Sequence, residues 1–164
     1  MGSYNAGKVE VISFIVSNFK QNDTCLDVGA CDGKWSELLG NFLIKDAVEV
    51  FTPNIDKHHL EKKYRQVFNT DIVNFQYDWY DIIIFGDVLE HMSIDQAQAV
   101  VEYAKPRCKD MIIAVPYLYE QGALYGNPYE VHIQDDLTPE IFEQRYPGFE
   151  RIWWNNEYAY YHKK

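Results

Sequence analysis

Apolar positions along the chain follow two periods, one helical and one of strand type. Over about residues 6–20, Val9, Ile12, Phe14, Ile15, Val16 and Phe19 recur at spacings that suit a helix covering a core. Gln21-Asn22-Asp23 ends it. Thr24 to Val28 then reads as a short buried strand, and a glycine-bearing turn from Gly29 to Gly33 follows at once. Trp35, Leu38, Leu39 and Phe42 come next, at the i, i+3, i+4 and i+7 positions of one helical face.

The alternation continues. Ala47 to Phe51 predicts a second strand, residues 57–65 a helix, and Gln66 to Phe68 a short third strand. Asp81 to Phe85 is the clearest strand, because a continuous apolar run bounded by polar turns is what a strand covered on both faces requires. Ser93 and Gln96 form an S-x-x-Q capping box for a helix over about 94–105, and Met111 to Val115 is another central strand. Thr138 and Pro139 open a short helix to about residue 145, which Pro147-Gly148 stops. Phe149 to Trp154 and Glu157 to His162 then make a hairpin around Asn155-Asn156. Strands alternating with helices predict an α/β fold of Rossmann-like, doubly wound type: a mostly parallel, seven-stranded sheet with an antiparallel C-terminal hairpin.

Length and composition narrow this picture. A chain of 164 residues suits one domain (1–164), with an N-terminal helical segment at 1–23 and one long irregular stretch at 117–137. Irregular stretches of that length in compact domains are usually functional or disordered, and on the functional reading 117–137 is the candidate substrate lid. The three cysteines, Cys25, Cys31 and Cys108, have no C-x-x-C spacing, which disfavours a disulfide framework or zinc ribbon and suggests a reducing, cytoplasmic setting. No apolar run reaches the roughly 20 residues of a membrane span. A net charge of -10 argues against phosphate-led binding of nucleic acid. Lys57, Lys62, Lys63 and Arg65 read as a solvated helix face.

Candidate chemistry gathers at strand ends. Asp27-Val28-Gly29-Ala30-Cys31-Asp32-Gly33 spells D-x-G-x-x-x-G at a strand-to-helix junction, where absent side chains let a ligand approach the backbone. Open α/β sheets bind ligands beyond the carboxyl ends of their strands, where strand order reverses. A dinucleotide fold would want G-x-G-x-x-G, but Cys31 and Lys34 occupy the second and third glycine positions, so a nicotinamide cofactor is disfavoured. Glu49, about 20 residues beyond Gly29, stands where a carboxylate can accept hydrogen bonds from both hydroxyls of a ribose, with Asp56 as the other choice.

The D-x-G-x-x-x-G turn followed by an acid near the next strand's end resembles class I S-adenosylmethionine-dependent methyltransferases, and the resemblance covers nearly the whole chain. It implies S-adenosylmethionine as cofactor, with Asp27, Gly29, Ala30 and Gly33 lying under its methionine and ribose parts and Glu49 on the ribose. The family often has glycine where this chain has Cys31. Asn69-Thr70-Asp71-Ile72 matches the segment that meets adenine, which implies Asp71 and Ile72, although Asp71 also reads as the cap of a turn. Gly86 to His91 is similar to the family segment x-x-V-L-E-H and implies Asp87 beside the cofactor. His91, next to Glu90, is either a general base or a structural anchor.

The acceptor side falls to 117–137, where Tyr117, Tyr125, Tyr129 and Glu130 are the candidate substrate contacts and His132 is the preferred base. Tyr125 to His132 resembles a run in small methyltransferases of this class, including ones associated with sugar or glycan modification. Asn127-Pro128-Tyr129 is similar to the N-P-P-Y motif of adenine and amide N-methyltransferases but follows the wrong strand. The expected activity is therefore methyl transfer to a small-molecule or saccharide acceptor, at oxygen. The rival is a cofactor-binding module without turnover, or a subunit of another methyltransferase. No metal site is expected, because Asp87, Glu90, His91, His132, Asp135 and Asp136 are spread over two loops without ligand-like spacing.

Overall fold

A computed structural model describes residues 5–164; residues 1–4 of the N-terminal segment lie outside the described residues. Seven strands form one sheet in the order β3-β2-β1-β4-β5-β7-β6. The strands are β1 (Thr24–Val28), β2 (Ile44–Val48), β3 (Gln66–Phe68), β4 (Tyr80–Gly86), β5 (Cys108–Pro116), β6 (Phe149–Trp154) and β7 (Tyr158–Lys163). The first five run parallel, and β7 pairs antiparallel with both β5 and β6. The sheet is the one the alternating pattern predicts.

Both faces of the sheet are covered, and alternate residues of the central strands serve opposite sides. Ile82 and Ile84 of β4 and Ile112 and Ala114 of β5 pack against helix α1 (Lys8–Asn18) through Val11 and Ile15, and against α2 (Lys34–Leu39) through Trp35 and Leu39. Ile83, Phe85, Ile113 and Val115 point the other way, onto Ala97, Val101 and Ala104 of α4 (Ile94–Ala104) and Phe142 of α5 (Pro139–Arg145). The Ser93 cap of α4 forms as the sequence predicts, accepting from the Gln96 N–H while Gln96 accepts from the Ser93 N–H.

Three expectations need correction. The buried row is Val11 and Ile15 of α1 with Phe19 at its C-cap, whereas Val9 and Val16 are exposed. The i, i+4, i+8 spacing of that row sets the helix rotation and turns both valines outward. Strand β2 ends at Val48 instead of running to Phe51, because its register against β1 pairs Val28 with Val48 and leaves nothing beyond for Glu49 to pair with there. The next helix is correspondingly early: α3 covers Thr52–His58, with Pro53 in its first turn. His59, at φ 51°, breaks it before a 3-10 turn at Leu60–Lys62. Lys63 and Arg65 therefore leave the helical face; Lys63 bonds the Asp32 carbonyl and Glu37, and Arg65 pairs with Asp46.

Segment 117–137 has no long element but is tied down. The Leu118 N–H donates to the Leu137 carbonyl and closes the loop at its base. Inside it lies a 3-10 turn, Pro128–Glu130. Among the described residues no helix is long and apolar enough to cross a membrane.

Candidate functional site

The sheet reverses its order between β1 and β4, and their carboxyl ends open into a cavity of about 680 Å³. That volume is in the range of small-molecule and cofactor sites. Its wall is built from the turns after β1, β2, β3 and β4 and from the inner side of segment 117–137.

After β1 the chain turns sharply at Gly29, whose φ is +70°. A Cβ there would lie 2.6 Å from Val88 Cγ2, so the turn needs glycine both for its backbone angle and for its fit against the β4 turn. The N–H groups of Gly29 and Ala30 both reach the Val48 carbonyl at the end of β2. Cys31 also adopts a positive φ, 48°, at the bend leading into α2. Gly29, Ala30 and Cys31 line the cavity.

Asp27 and Gly33 do not line it. Asp27 is buried behind the turn, accepting from the Tyr64 hydroxyl through one oxygen while the other has no hydrogen-bond partner among the described residues. Burial pushes its carboxyl up to about 7, against the opposing Tyr64 hydrogen bond. Gly33 starts α2, with Lys63 Cδ 2.7 Å from where its Cβ would be.

Glu49 follows β2 directly, buried and on the cavity wall. Its two oxygens accept from the Cys31 and Phe51 N–H groups, each at 2.8 Å. Burial raises its pKa, and these two hydrogen bonds work against that rise by favouring the charged form. The carboxylate is thereby fixed in orientation and still has lone pairs for a ligand. Asp56 is not on the wall. Beyond β3, Asp71 and Ile72 both line the cavity, and Asp71 also caps the 3-10 turn Ile72–Asn74 by accepting from the Val73 N–H.

The turn after β4 carries the most unusual electrostatics. Asp87 sits at φ 59°, a conformation uncommon for a residue with a side chain. One of its oxygens accepts from the Tyr158 hydroxyl, and the other, also buried, has no hydrogen-bond partner among the described residues. Glu90, three residues on, is 0% exposed, and neither carboxyl oxygen has one among the described residues. Burial drives both carboxyls above the ordinary range, Glu90 the more strongly. Burial lowers His91 to about 4, with the neighbouring His132 adding to the effect.

Segment 117–137 supplies the facing wall through Tyr117, Tyr119, Gln121, Asn127, Tyr129, Glu130 and His132. It is latched to the β4 turn, because the Ile133 and Gln134 N–H groups both donate to the Glu90 carbonyl. Asn127 and Gln121 amides hold Glu130. The Tyr117 hydroxyl is engaged with Tyr161 in the core, so that residue offers the cavity its ring. Tyr125 is 85% exposed and off the wall. The His132 ring lies 4.8 Å from that of His91, and its Nδ1 meets the Tyr119 carbonyl at 2.7 Å. Burial lowers its pKa.

Spacing along the sequence hid several members. Trp35, from α2, presents at the wall a buried indole N–H without a partner among the described residues, and its Nε1 lies 2.5 Å from where a Cβ on Gly86 would be. Tyr158 arrives from β7, 71 residues after the Asp87 it contacts. Neither sits in a recognisable local motif. Asn127 was visible in sequence only as part of a misplaced motif; its side chain accepts from the Tyr129 N–H and shapes the turn.

No protein-family model matches the chain, and no curated protein matches it by sequence. Solved structures do match. An S-adenosylmethionine-dependent methyltransferase from Clostridium acetobutylicum superposes with a TM-score of 0.72 at 13% identity, over 95% of this chain and 89% of that one. The N-methyltransferase NodS from Bradyrhizobium japonicum gives 0.66 at 11% identity, over 97% and 96%. A TehB-like methyltransferase from Corynebacterium glutamicum gives 0.65 at 14% identity, over 94% and 88%. At such identities the match establishes the fold: the chain has the Rossmann-like architecture of class I methyltransferases.

Proposed function

We propose that the chain is an S-adenosylmethionine-dependent methyltransferase acting on an oxygen of a small-molecule or saccharide acceptor. The observation that carries the reading is the cavity at the sheet's reversal, with a glycine turn open to close approach on one side and a fixed carboxylate, Glu49, on the next strand end. Charge supports it: among the described residues seven lining side chains are carboxyls, of which burial favours the neutral form of Glu90, and one, Lys34, is a cation, a balance that still favours a ligand bearing positive charge. The bound cofactor would supply a methyl group on sulfonium, already electrophilic.

The chain's own residues then have to bind and orient. The backbone at Gly29 and Ala30 would carry the methionine and ribose parts, and Glu49 would accept from the ribose hydroxyls. Asp71 and Ile72 would meet the adenine, with Asp87 at the methionine end. Asp27 and Gly33 would act from behind the turn, by shaping it. Catalysis here is mainly alignment, worth up to roughly 7–11 kcal/mol when a nucleophile is held in line. Tyr129, Glu130 and the Tyr117 ring would hold the acceptor, while Tyr125 projects into solvent.

A hydroxyl acceptor must lose its proton, and the imidazoles are placed to influence it. Because a carbonyl can only accept, the Nδ1 contacts of His91 and His132 put the hydrogen on Nδ1 and leave Nε2 as the basic nitrogen. His91, lowered to about 4, is the poorer proton acceptor. His132 is the stronger candidate.

Transfer of labelled methyl groups to hydroxyl-bearing acceptors tests the reading. The expected product is a methyl ether, and His132→Ala should lower its rate by about 100-fold without changing cofactor affinity. Equal rates in the two proteins would remove His132 from the chemistry. Cofactor uptake with no turnover on any acceptor would favour a binding module.

A further inference from the structure

We propose that Glu90, His91 and His132 hold a first-row divalent cation at the acceptor end of the cavity. The three residues lie in two segments about 40 positions apart in sequence, as the 40-residue separation of the His91 contact with Val131 illustrates. Folding nevertheless brings one ligand-capable atom of each within 4.8 Å of the others. All three line the cavity.

Glu90 gives the independent reason to expect a cation. It is 0% exposed, and neither oxygen has a hydrogen-bond partner among the described residues. A buried carboxylate in that condition costs several kcal/mol unless its charge is neutralised by a partner. Protonation removes the charge but leaves an unpaired O–H donor. A cation held between Glu90 and the two imidazoles satisfies the carboxylate directly.

The histidines are prepared for the same role. His91 Nδ1 meets the Val131 carbonyl at 3.2 Å, and His132 Nδ1 meets the Tyr119 carbonyl at 2.7 Å. A backbone carbonyl on one ring nitrogen fixes the tautomer and leaves the other nitrogen as a ligand, the usual outer support of metal-binding histidine. The Ile133 and Gln134 N–H bonds to the Glu90 carbonyl lock the segment carrying His132 onto the turn carrying Glu90 and His91.

Two imidazole nitrogens and one carboxylate form a borderline donor set suited to Zn²⁺, Co²⁺, Fe²⁺ or Mn²⁺ rather than to Ca²⁺. Three protein ligands leave coordination positions open, as in catalytic rather than structural sites. A hydroxyl oxygen bound there is made more acidic. This role in activating the acceptor rests on the methyl-transfer reading; cation binding itself does not. In the loaded protein the His132 lone pair holds the cation, and the acceptor's proton leaves to solvent.

Titration of chelator-treated full chain with Co²⁺ alone tests the site. The expected result is uptake of one equivalent, visible ligand-field absorption, and two exchangeable imidazole N–H signals shifted outside the normal proton range. Glu90→Gln and His132→Ala should each weaken uptake at least tenfold while keeping the wild-type circular dichroism. Should one variant fail to fold, the other carries the comparison. Absence of uptake by folded protein overturns the proposal, as does uptake indifferent to both substitutions. S-adenosylhomocysteine binding is measured on the same samples. Its presence without cobalt uptake removes the cation site and leaves the methyltransferase reading standing, and the reverse pattern does the opposite.

Discussion

Replacing Asp27 by Asn isolates the energetics of the carboxyl beneath the glycine turn. In the native protein burial pushes that group from its ordinary 3.8 up to about 7, while the Tyr64 hydroxyl partly opposes the rise. The unfolded chain releases the proton near 3.8, whereas the native chain retains it until about pH 7. Between those values the native state binds more protons than the unfolded state, so unfolding free energy falls as pH rises. The contribution is complete below pH about 4 and lost by the time pH passes about 7. At 1.36 kcal/mol per pH unit, the gap amounts to roughly 4 kcal/mol. Asn is neutral throughout and carries no such dependence. Urea denaturation at intervals from pH 4 to pH 8 should therefore show Asp27→Asn gaining roughly 4 kcal/mol relative to wild type across the range, with the gain levelling above about pH 7. A constant difference between the two proteins would mean that Asp27 ionises normally in the folded state, and the burial argument would fail.

Other substitutions probe separate parts of the site. Gly29→Ala forces a Cβ to within 2.6 Å of Val88 at a positive φ; it should cost about 1–3 kcal/mol in thermal or urea unfolding and weaken cofactor binding at least tenfold. Tyr158→Phe takes the hydroxyl from Asp87 and leaves a second oxygen of a buried carboxyl unpaired, for a loss of about 1–3 kcal/mol measurable by denaturant titration. Tyr125→Ala should change neither stability nor acceptor KM, since the ring is 85% exposed and off the cavity wall.

The fold was legible because its central strands are short apolar runs flanked by turn residues. Ile82 to Phe85 can only be covered on both sides, and the Ser93 cap and the Asn155-Asn156 turn fix neighbouring elements locally. Boundaries set by pairing were not legible. Nothing within Ala47 to Phe51 says that β2 stops at Val48; the register with β1 decides that. The bounds of the next helix are hidden for a related reason, since Pro53 lies in the first turn of α3 while His59 breaks it by backbone conformation.

Within the site, residues attached to strand ends were readable because strand order alone delivers them to one edge. Gly29, Glu49, Asp71 and Asp87 all belong to that class, and all four line the cavity. Asp27 shows the limit of the argument: side chains alternate along a strand, and its own turns behind the loop toward Tyr64. Contacts between distant segments left no local signature. The meeting of Glu90 and His91 with His132, and of Asp87 with Tyr158, depends on how the 117–137 segment and β7 return to the sheet.

Calorimetric titration of folded protein with S-adenosylhomocysteine tests the proposed use of the cavity most directly. One equivalent should bind with micromolar affinity or better, and Glu49→Gln should weaken it at least tenfold by removing the carboxylate proposed to accept from the ribose hydroxyls. No heat and no melting shift at millimolar ligand, or binding indifferent to Glu49→Gln, would contradict the assignment of the cavity.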